Sequence, residues 1–376
     1  MMRHTIARVF IATAAALVLA ACSSTSSRPQ PTPLGPNPDK FSIKTVWSLG
    51  LSAVDFALDI KVQGNSAAVA DGQGEVVVLD VRTGQANWRA SAAEALSAGV
   101  GFDGNRAAVV TRSHDLVALE AGKVIWRTKL NASSHTAPLV AGGRVFVLGA
   151  DRAVSAFDGA SGRRLWTQQR PGEPLVLRQA GVLLAVGDTL VAGVSGKLVG
   201  LNPMNGSIRW EAPVATPRGI NDVERLVDLV GPALRAGDEV CVRAFQAAVA
   251  CTNAARGTLS WTKPSAGSVG LSGDTTQLYG TDEDGTVDAW RRSDGERLWS
   301  TQNLRFRGLS APLALGAGLV LGDAQGFVHV LSKDNGDTLT RINLDGSALA
   351  GAPVLAANTL VVVTAKGLVA GLRPGN

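Results

Sequence analysis

The chain has 376 residues and a formal net charge of +5; 45% of its residues are hydrophobic, only 18% are charged, and 43 are glycine. Charged residues fall below the ~25% usual in globular proteins and glycine stands above its ~7% average. That balance excludes a disordered chain, which lacks apolar material for a core, and a coiled coil, which needs an unbroken heptad. Short strands joined by tight glycine turns remain.

The chain opens with Arg3 and Arg8, then an apolar run from Val9 to Ala21 broken only by Thr13. The run is too short for a bilayer, which takes ~20 apolar residues, so residues 1–21 are expected to be a signal peptide. Its end, Leu19-Ala20-Ala21-Cys22, is similar to the bacterial lipobox, which makes Cys22 the expected site of diacylglycerol attachment. Ser23 resembles the following residue of lipoproteins sorted to the outer membrane. Residues 22–40, rich in Ser and Pro, are expected to form an extended, solvated tether. Loss of Arg3 and Arg8 lowers the formal charge by two, to +3, too little to attract nucleic acid. Membrane contact is expected through the lipid alone.

From residue 41 onward one pattern recurs. Glu75-Val76-Val77-Val78-Leu79-Asp80 leads to Thr83-Gly84 and Trp88. Ala153 to Asp158 leads to Ser161-Gly162 and Trp166, Lys197 to Asn202 leads to Asn205-Gly206 and Trp210, and Thr286 to Arg291 leads to Asp294-Gly295 and Trp299. With Trp47, Trp126, Trp261 and Arg341 in a degenerate copy, eight landmarks follow one another at about forty residues. Alternation within each run places every second residue on a buried face. The Gly supplies positive φ in the turn, and the closing Trp is large enough to pack between neighbouring sheets. Four strands per forty residues is the pattern of a propeller blade.

The C-terminal runs Thr359 to Thr364 and Lys366 to Leu372 lack a closing Trp strand, whereas Lys44-Thr45-Val46-Trp47 is a Trp strand with nothing before it. Pairing the two completes an eighth blade and removes both open edges. The expectation is an all-β fold: an eight-bladed β-propeller of four-stranded antiparallel blades over residues 41–376, closed by the N-terminal strand.

Cys241 and Cys251 lie in strand-like runs around a turn near Phe245-Gln246. A turn centred there sets them opposite one another within disulfide reach; two reduced buried thiols are the alternative. His114, His135 and His329 are scattered over three repeats without a catalytic or metal-binding motif, and Asp282-Glu283-Asp284 before Gly285 suits an exposed hairpin turn. No catalytic residue, metal or cofactor is expected.

The Trp-ended repeat resembles that of the pyrroloquinoline-quinone (PQQ) enzymes, which implies the fold and, as an alternative, a periplasmic quinoprotein dehydrogenase. Those enzymes carry a vicinal cysteine pair and a longer chain, whereas Cys241 and Cys251 are ten residues apart. Lipobox, tether and eight repeats together resemble the BamB family, the lipoproteins of the outer-membrane β-barrel assembly (BAM) complex. That resemblance implies a non-enzymatic scaffold that binds a POTRA domain of BamA and assists unfolded β-barrel precursors. The family's Leu-x-Leu-Arg segment matches Leu175, Leu177 and Arg178, and its acidic loop matches Glu224, Arg225, Leu226 and Asp228; a second family acid two residues on is Val230 here. These seven residues are the expected partner contacts.

Overall fold

The computed structural model describes residues 29–172 and 175–375, so the expected signal peptide and Cys22 lie outside the described residues. Among the described residues, strands form eight four-stranded sheets. Seven sheets take four consecutive strands each; blade 1, for example, contains Lys61–Gln63, Ser66–Ala70, Glu75–Asp80 and Ala86–Ser91. In the eighth, Val354–Ala356, Thr359–Val363 and Leu368–Pro374 are completed by Ile43–Gly50. That strand runs antiparallel to Leu368–Pro374, with Ile43 opposite Pro374 and Gly50 opposite Leu368.

The alternation in each repeat has a consequence beyond a single buried face. Ala67, Val69, Val77 and Leu79 of blade 1 pack against Val361, Val363 and Val369 of blade 8. The intervening Ala68, Ala70, Val76 and Val78 pack against Ala107, Val109, Val117 and Leu119 of blade 2. Both faces are buried because each blade is sandwiched between two others, so the middle strands read as nearly continuous aliphatic runs.

The Trp of one blade locks onto the next. Trp126 donates its indole N–H to the Gly159 carbonyl at 2.8 Å, and a Cβ on Gly162 (φ +72°) would lie 2.6 Å from the indole ring. Trp47, Trp166, Trp261 and Trp299 repeat the arrangement on the carbonyls of Val81, Pro203, Arg292 and Lys333, each three residues before the turn glycine. Trp210 stacks on Gly257 with no partner for its buried indole N–H among the described residues.

The register corrects the expected landmark of blade 7: Thr340, opposite Val330, holds the Trp position, and Arg341 lies one residue on, opposite His329. In blade 8 the outer strand is Ile43–Gly50 rather than a continuation of Leu368–Pro374, so among the described residues no hairpin turn joins the two to receive an indole. The N-terminal segment fills the position. Asn37 Nδ2 donates to the Arg341 carbonyl at 3.1 Å, the Arg341 amide donates to Asn37 Oδ1 at 3.1 Å, and the Arg341 guanidinium donates to the Gly35 carbonyl. The Lys40 amide donates to the Leu339 carbonyl at 2.9 Å and the Thr32 amide to the Arg305 carbonyl at 3.0 Å. The expectation of a solvated tether to residue 40 is therefore corrected: Gly35 to Lys40 lie along the outer strand of blade 7, Thr338–Asn343, where they cover an otherwise unpaired sheet edge, and Thr32 bonds Arg305 in the connection before that blade.

The lock predicts unequal costs for two glycines with the same backbone constraint. Gly142→Ala, at φ +57° with open space around it, should destabilise by about 1 kcal/mol. Gly162→Ala adds a collision with Trp126 and should cost about 2–4 kcal/mol. Urea unfolding measures both, and equal values would sink the account of the lock.

Candidate functional site

Strand order decides which loops share a face. In an up-down blade, the turn between the second and third strands and the connection to the next blade emerge on the same side. Two of these connections are the long ones that the repeat spacing marks. One joins Arg164–Gln168 to Leu183–Val186, and the other joins Ile208–Pro213 to Leu229–Ala236.

In the first, Leu175, Val176, Leu177 and Arg178 lie outside the strands. Leu175 is 40% exposed, Arg178 is exposed, and Leu177 is half-buried. Arg178 borders a depression of about 660 Å³ with Asp55, Phe56, Arg112 and His135. Arg112 is paired with Asp55 at 2.5 Å, whereas Arg178 makes no ion pair among the described residues. Burial holds the His135 imidazole below its ordinary pKa range, and the Arg178 charge acts in the same direction. The depression therefore presents an uncompensated guanidinium.

In the second connection, Glu224 folds back on its own loop: its carboxylate accepts the Ile220 amide at 2.8 Å, and this bond is the main cause that lowers its pKa. Gly219, at φ +114°, sits so close to Glu224 that a Cβ there would lie 2.3 Å from it. Arg225 and Leu226 are half-buried. Asp228 faces inward, its carboxylate bonded to Arg152 and to the Leu177 amide. Val230 is buried in the strand that begins at Leu229, so the position of the missing family acid is a core position here.

The structure adds residues that the spacing did not single out. Ile220 is fully exposed and Val223 68% exposed at the tip of the second loop. Exposed apolar side chains on one loop, with Leu175 and Arg178 exposed on the preceding one, offer both an apolar anchor and a charge, the usual composition of an interaction hot spot. Their signal in the sequence was the interruption of the repeat at Gly219-Ile220-Asn221-Asp222-Val223. Arg152 left no such signal.

Cys241 and Cys251 are direct register partners across the Phe245–Ala247 turn, and a disulfide joins them. Glu239 lies close to both sulfurs, but bonded sulfurs are not thiolate ligands, so the group offers a metal only a carboxylate. The other histidines are explained locally: His114 takes a turn position at φ +68°, and His329 is buried with Nε2 2.9 Å from Asp323. Asp282 contacts Arg243 and Ser265.

All eight inner strands line an axial channel of about 930 Å³, with mainly aliphatic walls that include Leu139, Leu183, Leu234, Leu313 and Val354. An anionic quinone held with Ca²⁺ needs converging cations and carboxylates. Of the two basic residues on the wall, Lys61 is paired with Asp59 and Arg235 bonds the Gly237 carbonyl. The lining does not fit that cofactor.

Fold and loops together define an eight-bladed propeller with two long inter-blade loops on one face. The family model described as "Outer membrane protein assembly factor BamB" matches residues 72–301. A protein of that name from Burkholderia pseudomallei is 38% identical over 96% of both chains. The crystal structure of BamB from Moraxella catarrhalis superposes with a TM-score of 0.81 at 26% identity, covering 88% of this chain and 99% of that one. A quinohemoprotein alcohol dehydrogenase from Comamonas testosteroni shares the fold alone, with a TM-score of 0.68 at 14% identity over 89% of this chain and 77% of that one. The chain belongs to the BamB family.

The bridge across the hairpin closes a loop of ten residues. Removing it as Cys241→Ala/Cys251→Ala should lower stability by about 2–3 kcal/mol. Urea unfolding with and without reductant checks this: reductant should shift the midpoint of the native chain and leave the double variant unmoved.

Proposed function

We propose that this chain is a non-enzymatic scaffold of the outer-membrane β-barrel assembly (BAM) complex, held to the outer membrane through a lipid on Cys22 and facing the periplasm. It docks to a POTRA domain of BamA and assists folding and insertion of unfolded β-barrel precursors. The observation that carries this reading is the docking face. An exposed Leu175 and an unpaired Arg178 stand on one inter-blade loop, and exposed Ile220 and Val223 stand on the next. Glu224, Arg225, Leu226 and Asp228 shape the second loop rather than all meeting the partner directly.

Membership of the BamB family supports the assembly role. A rigid ring suits it physically, because loops on a packed scaffold bind without first paying the cost of ordering themselves. The aliphatic channel supports a role without PQQ.

The test is affinity purification of the tagged full-length chain from membranes. Arg178→Glu, which reverses the charge at the depression, should reduce BamA recovery about tenfold or more, and Leu175→Ala should reduce it by a smaller factor. Undiminished recovery with the fold intact by circular dichroism would remove these loops from the interface.

A further inference from the structure

We infer that Arg152 and Asp228 form a positioning pair that holds the two docking loops as one surface. The consequence for binding rests on the docking reading above; the geometry stands by itself.

Three segments from different parts of the ring meet at this pair. Arg152 sits in the turn between the second and third strands of blade 3. Its guanidinium donates from Nη1 to Asp228 Oδ1 at 3.0 Å and from Nη2 to the Leu175 carbonyl at 2.8 Å. The second oxygen of Asp228 accepts the Leu177 amide at 3.1 Å. One loop is thus gripped at Leu175 and Leu177, and the other at Asp228. The side chains are only 8% and 18% exposed, so water screens them poorly and neither carboxylate oxygen is turned to a partner. The grip needs two donors in a fixed fork, which a lysine cannot supply.

The repeat itself shows that Arg152 is a departure. The turns of the other blades give the matching position, the residue whose amide donates to the first residue of the turn. In blade 2 it is His114, also at positive φ; in four other blades it is glycine, Gly74 in blade 1, Gly285 in blade 6, Gly326 in blade 7 and Gly367 in blade 8. All four have positive φ, and so does Arg152, at +65°. A non-glycine residue there carries backbone strain of about 1 kcal/mol or more. Glycine is the residue that relieves it, and in four other blades glycine is present. Blade 3 holds an arginine in a strained conformation at a turn whose side chain reaches both docking loops.

The same comparison supplies a clean variant. Arg152→Gly introduces the residue of four other blades and relieves the turn, so the ring should still fold. Asp228→Asn in the same chain removes the charge that would otherwise be left half-buried. The full-length chain and its variants are compared by amide hydrogen exchange and by affinity for a purified periplasmic fragment of BamA. Arg152→Gly and Asp228→Asn should each speed exchange at Leu177 and weaken binding about tenfold. The double variant should be no weaker than either single one, because both remove the same grip.

Unchanged exchange at Leu177 would overturn the pair. So would an Asp228→Asn penalty of equal size with and without Arg152, since that would make Asp228 a direct contact. If the unsubstituted chain failed to bind the fragment, the docking reading would fall, and exchange at Leu177 would still decide the pair.

Discussion

The contact between an outer-strand indole and the turn glycine of the following blade sets the relation between neighbouring sheets. A glycine is required because any Cβ would enter the ring, and a positive φ is required because the turn must present a carbonyl to the indole N–H. The contact needs a turn between the third and fourth strands of the next blade, which blade 8 lacks among the described residues because its fourth strand is Ile43–Gly50. At that seam the N-terminus does two things: Ile43–Gly50 completes blade 8, and Gly35 to Lys40 lie on blade 7 around Arg341. Closure is therefore achieved with polar contacts at one junction, whereas Trp47, Trp126, Trp166, Trp210, Trp261 and Trp299 pack on turn glycines at six others.

Much of this architecture was legible because it is written eight times. The Trp positions, the turn glycines and the unmatched strands at the two ends needed only counting, and Ile43–Gly50 pairs where the missing strand was expected. The docking of Thr32 to Lys40 was not legible, because a Pro-rich stretch without apolar residues carries no period. Its attachment depends on hydrogen bonds to backbone that only the assembled ring exposes. His329 was equally hidden: its partner Asp323 is on the same hairpin, but only burial of both makes the pair structural.

The candidate site was legible in part for a related reason. A repeat makes its members equivalent, so departures from it locate function. The loops around Leu175 and Glu224 were visible as the longest interruptions. How their residues divide the work was not. Arg178 and Leu175 reach solvent, Glu224 bonds its own loop, and Asp228 turns inward to Arg152. Sequence spacing reports that residues are near one another; which way each side chain faces is set by the neighbouring blade.

Binding through loops of this length normally carries a cost in conformational entropy, because backbone that is free in solution must be fixed in the complex. A ring of sandwiched sheets supplies rigid points of attachment at the loop ends but cannot fix their middles. A buried ion pair with every donor and acceptor engaged can, provided that its partners come from separate segments. The Arg152–Asp228 pair meets that condition, and the strain at Arg152 is the measure of what the turn gives up for it. The most repetitive part of the molecule thus hosts a local exception, placed where two neighbouring loops meet.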